Sequence, residues 1–270
     1  MVHNTNMTSN KTVQTNFETL AVSTKDNIIT LQLNRGKANP INRQMISDLH
    51  TFFEQAAQDE DVNGVIMTGK EKFFSSGLDL KQLYAMNEEE VEEFWVAFMK
   101  MTKVIASFPK PFIAAITGHS PAGGCVLALC ADYRVMAEGE KYLIGLNEIP
   151  VGIVVPKVIF DLYAFWIGNK TAYQYLLEGK LINPNKAKEI GLVDEVVSAD
   201  KVLAHAEEKM EDYANFDGKT WSISKSNLRG GMLEEMNMDN LDEILAPMLK
   251  QWWSPRTRSI LKMIVASLTK

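Results

Sequence analysis

Two glycine turns and one carboxylate carry the chemistry this sequence offers. The turn Ser75-Ser76-Gly77-Leu78-Asp79 follows the apolar run Val65–Met67, and Pro121-Ala122-Gly123-Gly124 follows Phe112–Ile116 and opens the apolar stretch Val126–Leu129. A buried strand, a glycine turn and a helix place unpaired backbone N–H groups at a helix start, where negative charge on an oxygen is favoured. Two such turns can direct two N–H groups at one oxygen and form an oxyanion hole, each donor stabilising a transition state by about 2.7–4 kcal/mol. The alternative is that both glycine pairs only let helices pack closely on strands.

The carboxylate is Glu148, set among Ile144, Leu146, Ile149, Val151, Ile153 and Val154. Apolar surroundings disfavour the charged form and raise a carboxyl pKa, a feature of working acids and bases. A strand-end acid facing solvent is the plainer reading. Gly118-His119-Ser120-Pro121-Ala122 comes close to the G-x-S-x-G elbow of serine hydrolases. That elbow needs the N–H of the residue after the serine, and Pro121 has none. Only His205 follows as a triad histidine, and it sits in a polar helical segment, so the hydrolase reading is set aside.

Strands and helices must position these groups. Phe17–Val22 and Asn27–Leu33 read as strands joined by the polar turn Ser23–Asp26, and Arg35–Asn42 reads as a loop. Ile46, Leu49, Phe52, Phe53 and Ala56 have helical spacing, and Gly64–Gly69 reads as a buried strand. Val91, Phe94, Trp95, Phe98, Thr102 and Ile105 form one helical face after the acidic turn Glu88–Glu90. Trp95, Phe98, Met99, Trp252 and Trp253 suit either a core or an acyl tunnel. After the central stretch, in which a small-residue turn follows Gly118, come strands at Asp132–Glu138 and Leu192–Val197 and otherwise mainly helix, with a last helix after Pro255. This order predicts an α/β fold with a helical C-terminal region.

With 270 residues, 46% of them apolar, the chain can bury a sizeable core. A net charge of −6 argues against nucleic acid as a partner. Cys125 and Cys130 are neither a CxxC pair nor a disulfide framework. Residues 1–16 read as a disordered polar leader without the apolar core of a signal peptide, and no apolar run reaches membrane-spanning length. A cytoplasmic location is therefore expected. The four histidines and two cysteines form no metal-ligand spacing, and no Walker or Rossmann fingerprint is present, so no metal and no redox cofactor are expected.

Four motifs in order, Arg35–Asn42 (RGKANPIN), Phe74–Leu80 (FSSGLDL), Lys110–Asp132 and Gly145–Gly152 (GLNEIPVG), make the chain from Phe17 to Lys270 resemble the crotonase, or enoyl-CoA hydratase/isomerase, superfamily. The resemblance implies a spiral of ββα units over residues 17–200, with C-terminal helices over 201–270 that build a homotrimer or hexamer. It implies that the N–H groups of Leu78 and Gly123 bind a thioester carbonyl oxygen. Lys37, Ala38 and Asn39 would line coenzyme A, which enters as part of the substrate. Ser76, Gly77, Asp79, Leu80 and Gly124 would flank the acyl group. Asn147 would orient Glu148 or touch substrate, a structural amide being the alternative.

Hydratases of this superfamily use two glutamates, one of which falls at Val126 here. A lone glutamate can shuttle a proton between carbons, and PAGGCVLAL followed by GLNE looks most like the mitochondrial-type Δ3,Δ2-enoyl-CoA isomerases. The expected reaction moves a 3-ene to a 2-trans-ene through a dienolate. Alternatives are a hydratase using another acid, Glu138 or Glu140, a decarboxylase or dehydratase acting on CoA or acyl-carrier-protein thioesters, and a thioester-binding module without turnover.

Overall fold

The computed structural model describes residues 13–236 and 239–268. The first hairpin pairs β1 (Leu20–Lys25) with β2 (Ile28–Leu33), Lys25 opposite Ile28. The chain reverses at Asp26 and Asn27, whose φ angles are 50° and 63°. The strands thus run through most of the Ser23–Asp26 segment expected as a turn. Asp and Asn tolerate left-handed backbone, and such a two-residue turn matches the twist of the strands.

After α1 (Arg43–Gln58) the chain winds in repeating units. β3 (Gly64–Thr68) and β4 (Lys72–Phe73) lead to α2 (Leu80–Ala85) and α3 (Glu88–Ala106). β5 (Phe112–Ile116) and β6 (Gly118–Pro121) lead to α4 (Gly123–Leu129). β7 (Tyr133–Ala137) and β8 (Ile144–Gly145) lead through a 3-10 turn, Ile149–Val151, to α5 (Lys157–Ile167). Each unit gives one strand to each of two sheets. The larger runs β1-β2-β3-β5-β7-β9, where β9 is Glu195–Val197, and is parallel from β2 onward; the smaller runs β4-β6-β8. This is the ββα spiral expected from the family resemblance.

β3 and β5 are buried along their whole length, which is why they read as continuous apolar runs. The segment after Gly118, expected as a turn, is instead a strand. A β-carbon at Gly118 would lie 2.1 Å from the Lys72 carbonyl oxygen, so only glycine lets β6 start beside β4.

The remaining helices are α6 (Asn169–Glu178), α7 (Pro184–Glu189), α8 (Val202–Ala214), α9 (Gly218–Glu235), α10 (Leu241–Trp252) and α11 (Pro255–Ser267). Val202, Ala206 and Met210 of α8 pack on Ile66, Ile113, Ala115 and Val135 of the large sheet. Lys225 and Arg229 of α9 meet the Asp132 carboxylate at 2.7 and 3.0 Å, and Arg229 also donates to the Ala106, Cys130 and Ala131 carbonyls. The C-terminal helices are therefore welded to the spiral. α10 packs on α3, and α11 on α2 and the Ile149–Val151 turn.

The expected leader, 1–16, lies outside the described residues as far as position 12. From Val13 the expectation of disorder fails: Val13 is buried and its N–H donates to Asp59 Oδ2 at 3.1 Å. An apolar side chain over α1 and a buried acceptor hold a segment whose composition alone predicts freedom.

Candidate active site

The first turn is held by the Arg35–Asn42 loop. Asn39, fully buried with φ 49°, accepts the Arg35 N–H at 2.9 Å on Oδ1 and donates from Nδ2 to the Phe74 carbonyl at 3.0 Å. Ser75 Oγ donates to the Asn39 carbonyl at 2.8 Å and accepts the Gly77 N–H at 3.1 Å. The Ser76 N–H donates to the Ala38 carbonyl at 2.8 Å. A parallel bridge completes the bracket: the Ile41 N–H donates to the Gly77 carbonyl and the Asp79 N–H to the Ile41 carbonyl, both at 2.8 Å. That register turns the Leu78 N–H to the other side, where it meets no protein acceptor among the described residues.

The second turn centres on Ala122, the residue before α4. Its φ of 48° and ψ of −120° lie where an L-residue is strained. The Ala122 N–H donates to the Gly145 carbonyl at 2.8 Å, and its own carbonyl accepts the Val126 N–H at 3.0 Å. The Gly123 N–H, at the first helical position, has no protein acceptor among the described residues. The two turns touch. A β-carbon on Gly77 would lie 3.1 Å from the Pro121 carbonyl oxygen and 3.5 Å from the Gly123 nitrogen. One on Gly123 would lie 3.2 Å from the Leu78 side chain. Two unpaired N–H groups therefore flank one cleft.

The cleft opens on a cavity of about 180 Å³, lined by Leu78, Gly123 and Glu148 and walled by Trp95, Phe98, Val126, Ile159 and Leu181. Glu148 heads a closed turn: its carbonyl accepts the Val151 N–H at 3.1 Å and the Ile153 N–H at 3.0 Å. Its Oε2 is buried without a hydrogen-bond partner among the described residues. Burial pushes its carboxyl up to about 7, partly offset by a hydrogen bond from its own backbone N–H. A carboxyl poised there can exchange a proton near neutral pH.

The residues named from sequence separate into two sets. Ser76, Leu78, Leu80, Gly123, Asn147 and Glu148 line the cavity. Gly77, Gly124, Ala38, Asn39 and Asp79 stand behind it. Gly124 packs on the first turn, since its β-carbon would lie 2.8 Å from the Ser75 carbonyl oxygen. Asp79 caps α2 through the Gln82 N–H at 3.1 Å and pairs with Arg35 at 2.8 Å. Its carboxylate and the Asn39 amide are thus engaged within the protein. Lys37 is exposed on the loop.

Val151, Ile153 and Val154, read from sequence as the apolar run around Glu148, line the cavity; sequence reasoning missed Val155, Pro156, Ile159 and Leu181 as cavity walls. These are ordinary apolar positions, and nothing in their spacing marks them. Trp95 and Phe98, left between core and tunnel, serve both: each is almost fully buried and lines the cavity. Glu138 and Glu140 are exposed and do not line it.

The elbow-like residues do not form a hydrolase site. His119 Nδ1 accepts the Leu143 N–H at 3.3 Å and its ring packs on Phe73 and Tyr142. Ser120 Oγ is buried without a partner, and His205 faces Tyr133 instead.

Comparison with known proteins gives concordant results. The sequence profile described as enoyl-CoA hydratase/isomerase matches residues 23–239. The mitochondrial enoyl-CoA delta isomerase 1 of Mus musculus is 34% identical over 215 residues, 79% of this chain and 73% of that protein. The 2,3-dehydroadipyl-CoA hydratase of Escherichia coli (strain K12) is 30% identical over 216 residues, 78% of this chain and 81% of that protein. Among solved structures, human mitochondrial delta3-delta2-enoyl-CoA isomerase superposes with a TM-score of 0.89 at 24% identity, covering 93% of this chain and 98% of that one, which is a likeness of fold.

Proposed function

This chain belongs to the enoyl-CoA hydratase/isomerase family, and we propose that it is an enoyl-CoA isomerase that converts a 3-enoyl thioester to the conjugated 2-trans-enoyl thioester. One observation carries the reading: among the described residues, Glu148 is the single titratable side chain lining the cavity shared by the Leu78 and Gly123 turns. Adding water across a double bond in this family draws on a second acid, and that position is Val126, which is apolar and lines the same cavity.

In the proposed reaction the thioester carbonyl oxygen accepts the Leu78 and Gly123 N–H groups. The Glu148 carboxylate removes a C2 proton, made acidic by the carbonyl and the adjacent alkene. The C2–H electrons form a C1–C2 double bond while the carbonyl electrons move to oxygen, giving a dienolate. Those two N–H groups and the start of α4 stabilise its charge. The carbonyl then re-forms, the double bond settles between C2 and C3, and Glu148 returns the proton to C4. Apolar walls keep water from protonating the intermediate.

The test offers 3-enoyl-CoA to the wild type and to Glu148→Gln. The wild type should convert it at unchanged mass, with the absorbance of a conjugated thioester. Glu148→Gln should lose about 10²–10⁴-fold in kcat while retaining acyl-CoA binding. Wild-type turnover in that variant would sink the assignment, as would a product heavier by one water.

The oligomer expected from the family would form through an apolar face at α5, α9 and the turn between α8 and α9. Phe165, Phe216, Ile223 and Leu228 are exposed there, Leu228 by 78%. Phe165, Phe216 and Leu228 edge a cavity of about 610 Å³ that Trp166 and Trp221 also line. Patches of this kind mark interaction surfaces, and we propose that further copies of this chain cover it.

A further inference from the structure

α11 grips both halves of the site with two neighbouring residues. Thr257, fully buried, donates from Oγ1 to the Gly152 carbonyl at 3.2 Å. Gly152, at φ 82°, closes the turn that Glu148 begins, its N–H donating to the Ile149 carbonyl at 2.9 Å. The fit is close: a β-carbon on Gly152 would lie 3.0 Å from Thr257 Oγ1. The next residue, Arg258, donates from Nη2 to the Tyr84 carbonyl at 2.9 Å. Its guanidinium lies 3.9 Å from the Tyr84 ring centre and 4.7 Å from that of Trp253. Tyr84 stands in the last turn of α2, whose cap, Asp79, directly follows Leu78.

The Glu148 turn and the Leu78 turn come from segments 70 residues apart in the chain. Between them lies a cavity, whose apolar walls do not fix a distance as hydrogen bonds do. From a single helix turn Thr257 reaches the Glu148 turn and Arg258 reaches the end of α2, that helix turn being fixed by Ser254 Oγ accepting the Thr257 N–H at 3.3 Å. Gln251 Nε2 donates to Thr257 Oγ1 at 3.2 Å, which leaves the hydroxyl hydrogen for Gly152. Arg258 Nη1 is buried without a hydrogen-bond partner among the described residues, a cost that an apolar side chain stacked on Tyr84 would avoid.

We propose that Thr257 and Arg258 are positioning residues that set the separation of the Glu148 carboxylate from the Leu78 N–H, and so the geometry of proton transfer to the bound thioester. The kinetic part of this proposal rests on the isomerase reading; its mechanical part does not. Misplacement by about 1 Å costs up to 10²-fold in rate.

The experiment compares full-length wild type, Thr257→Val, Thr257→Ser and Arg258→Leu. Three readouts are taken: kinetics on 3-enoyl-CoA, binding of butyryl-CoA, and backbone hydrogen exchange. Thr257→Val and Arg258→Leu should lower kcat about tenfold to hundredfold, with KM and butyryl-CoA binding near wild type. Thr257→Ser, which keeps the hydroxyl, should restore kcat. Exchange should rise both in 148–153 and in 78–85 in each of the two impaired variants, because one helix serves both turns. Folded variants with unchanged kcat and unchanged exchange overturn the proposal, as does a Thr257→Ser loss equal to that of Thr257→Val. A wild type silent on 3-enoyl-CoA overturns the isomerase reading alone, and the exchange pattern then decides whether α11 ties the two turns.

Discussion

The side-chain amide of Asn39 donates to the Phe74 carbonyl at 3.0 Å, binding a loop to the start of the turn that carries Leu78. The same amide accepts the Arg35 N–H, so a single buried side chain closes its own loop and braces the neighbouring turn. The loop's evident role in this fold is therefore to hold the turn.

Asn39→Gly should test that brace, since glycine accepts the φ of 49° without strain while the side-chain hydrogen bonds and the buried side-chain volume are lost. Leaving the buried Phe74 carbonyl unpaired costs about 1–3 kcal/mol, and the part-buried Arg35 N–H costs less. Chemical denaturation should show a loss of about 1–3 kcal/mol or somewhat more, most of it from the buried Phe74 carbonyl, and in the proposed reaction kcat should fall with the Leu78 N–H displaced. Unchanged stability would mean that the loop is held by other contacts.

The Glu148 carboxyl at about 7 sets a pH dependence of sign opposite to that of an ordinary paired acid. In the proposed reaction Glu148 must be ionised to take the C2 proton, so kcat/KM should rise through about pH 7 and then level off. Stability runs the other way. The raised folded value favours the protonated form, so the carboxyl costs nothing below the unfolded pKa of 4.5 and its penalty grows up to about 7. Glu148→Gln should therefore be more stable than wild type by about 3 kcal/mol in alkaline buffer and equal to it in acid below that unfolded value. Thermal melts across pH read the difference; equal melting temperatures at every pH would show the carboxylate to be solvated.

Ala122 holds a φ of 48° and ψ of −120° at the second turn. Ala122→Gly should relieve about 1 kcal/mol of backbone strain and raise the melting temperature. A decrease would mean that the packing of the methyl group in the cavity wall outweighs the strain.

The assembly proposed through the face of α5, α9 and the α8–α9 turn gives a further prediction. Leu228→Glu, with Phe216→Ser, should lower the mass seen by sedimentation at micromolar concentration without unfolding the chain, because both side chains are exposed in a single copy. An unchanged assembly would place the interface elsewhere.

What could be read along the chain, and what could not, follows the range of the interactions involved. β3 and β5 announce themselves because burial on both faces leaves continuous apolar runs. β6 did not, because four residues of glycine, histidine, serine and proline carry no strand pattern. Only the close approach of the Gly118 backbone to Lys72 makes them one. Val13 likewise gave no local sign of its place over α1.

By itself the sequence determined the two glycine turns, the isolated Glu148 and the valine at position 126. Each rests on a residue type and its immediate neighbours, which local stereochemistry and burial preference fix. Tertiary structure alone decided that the Asn39 amide and Asp79 carboxylate serve the scaffold, and that Leu181 and Ile159 wall the cavity. It alone placed adjacent residues of α11 against the Glu148 turn and against the end of the helix that follows the Leu78 turn. Those outcomes depend on register and packing between segments tens to nearly two hundred residues apart, and no local pattern encodes which distant surface a side chain will meet.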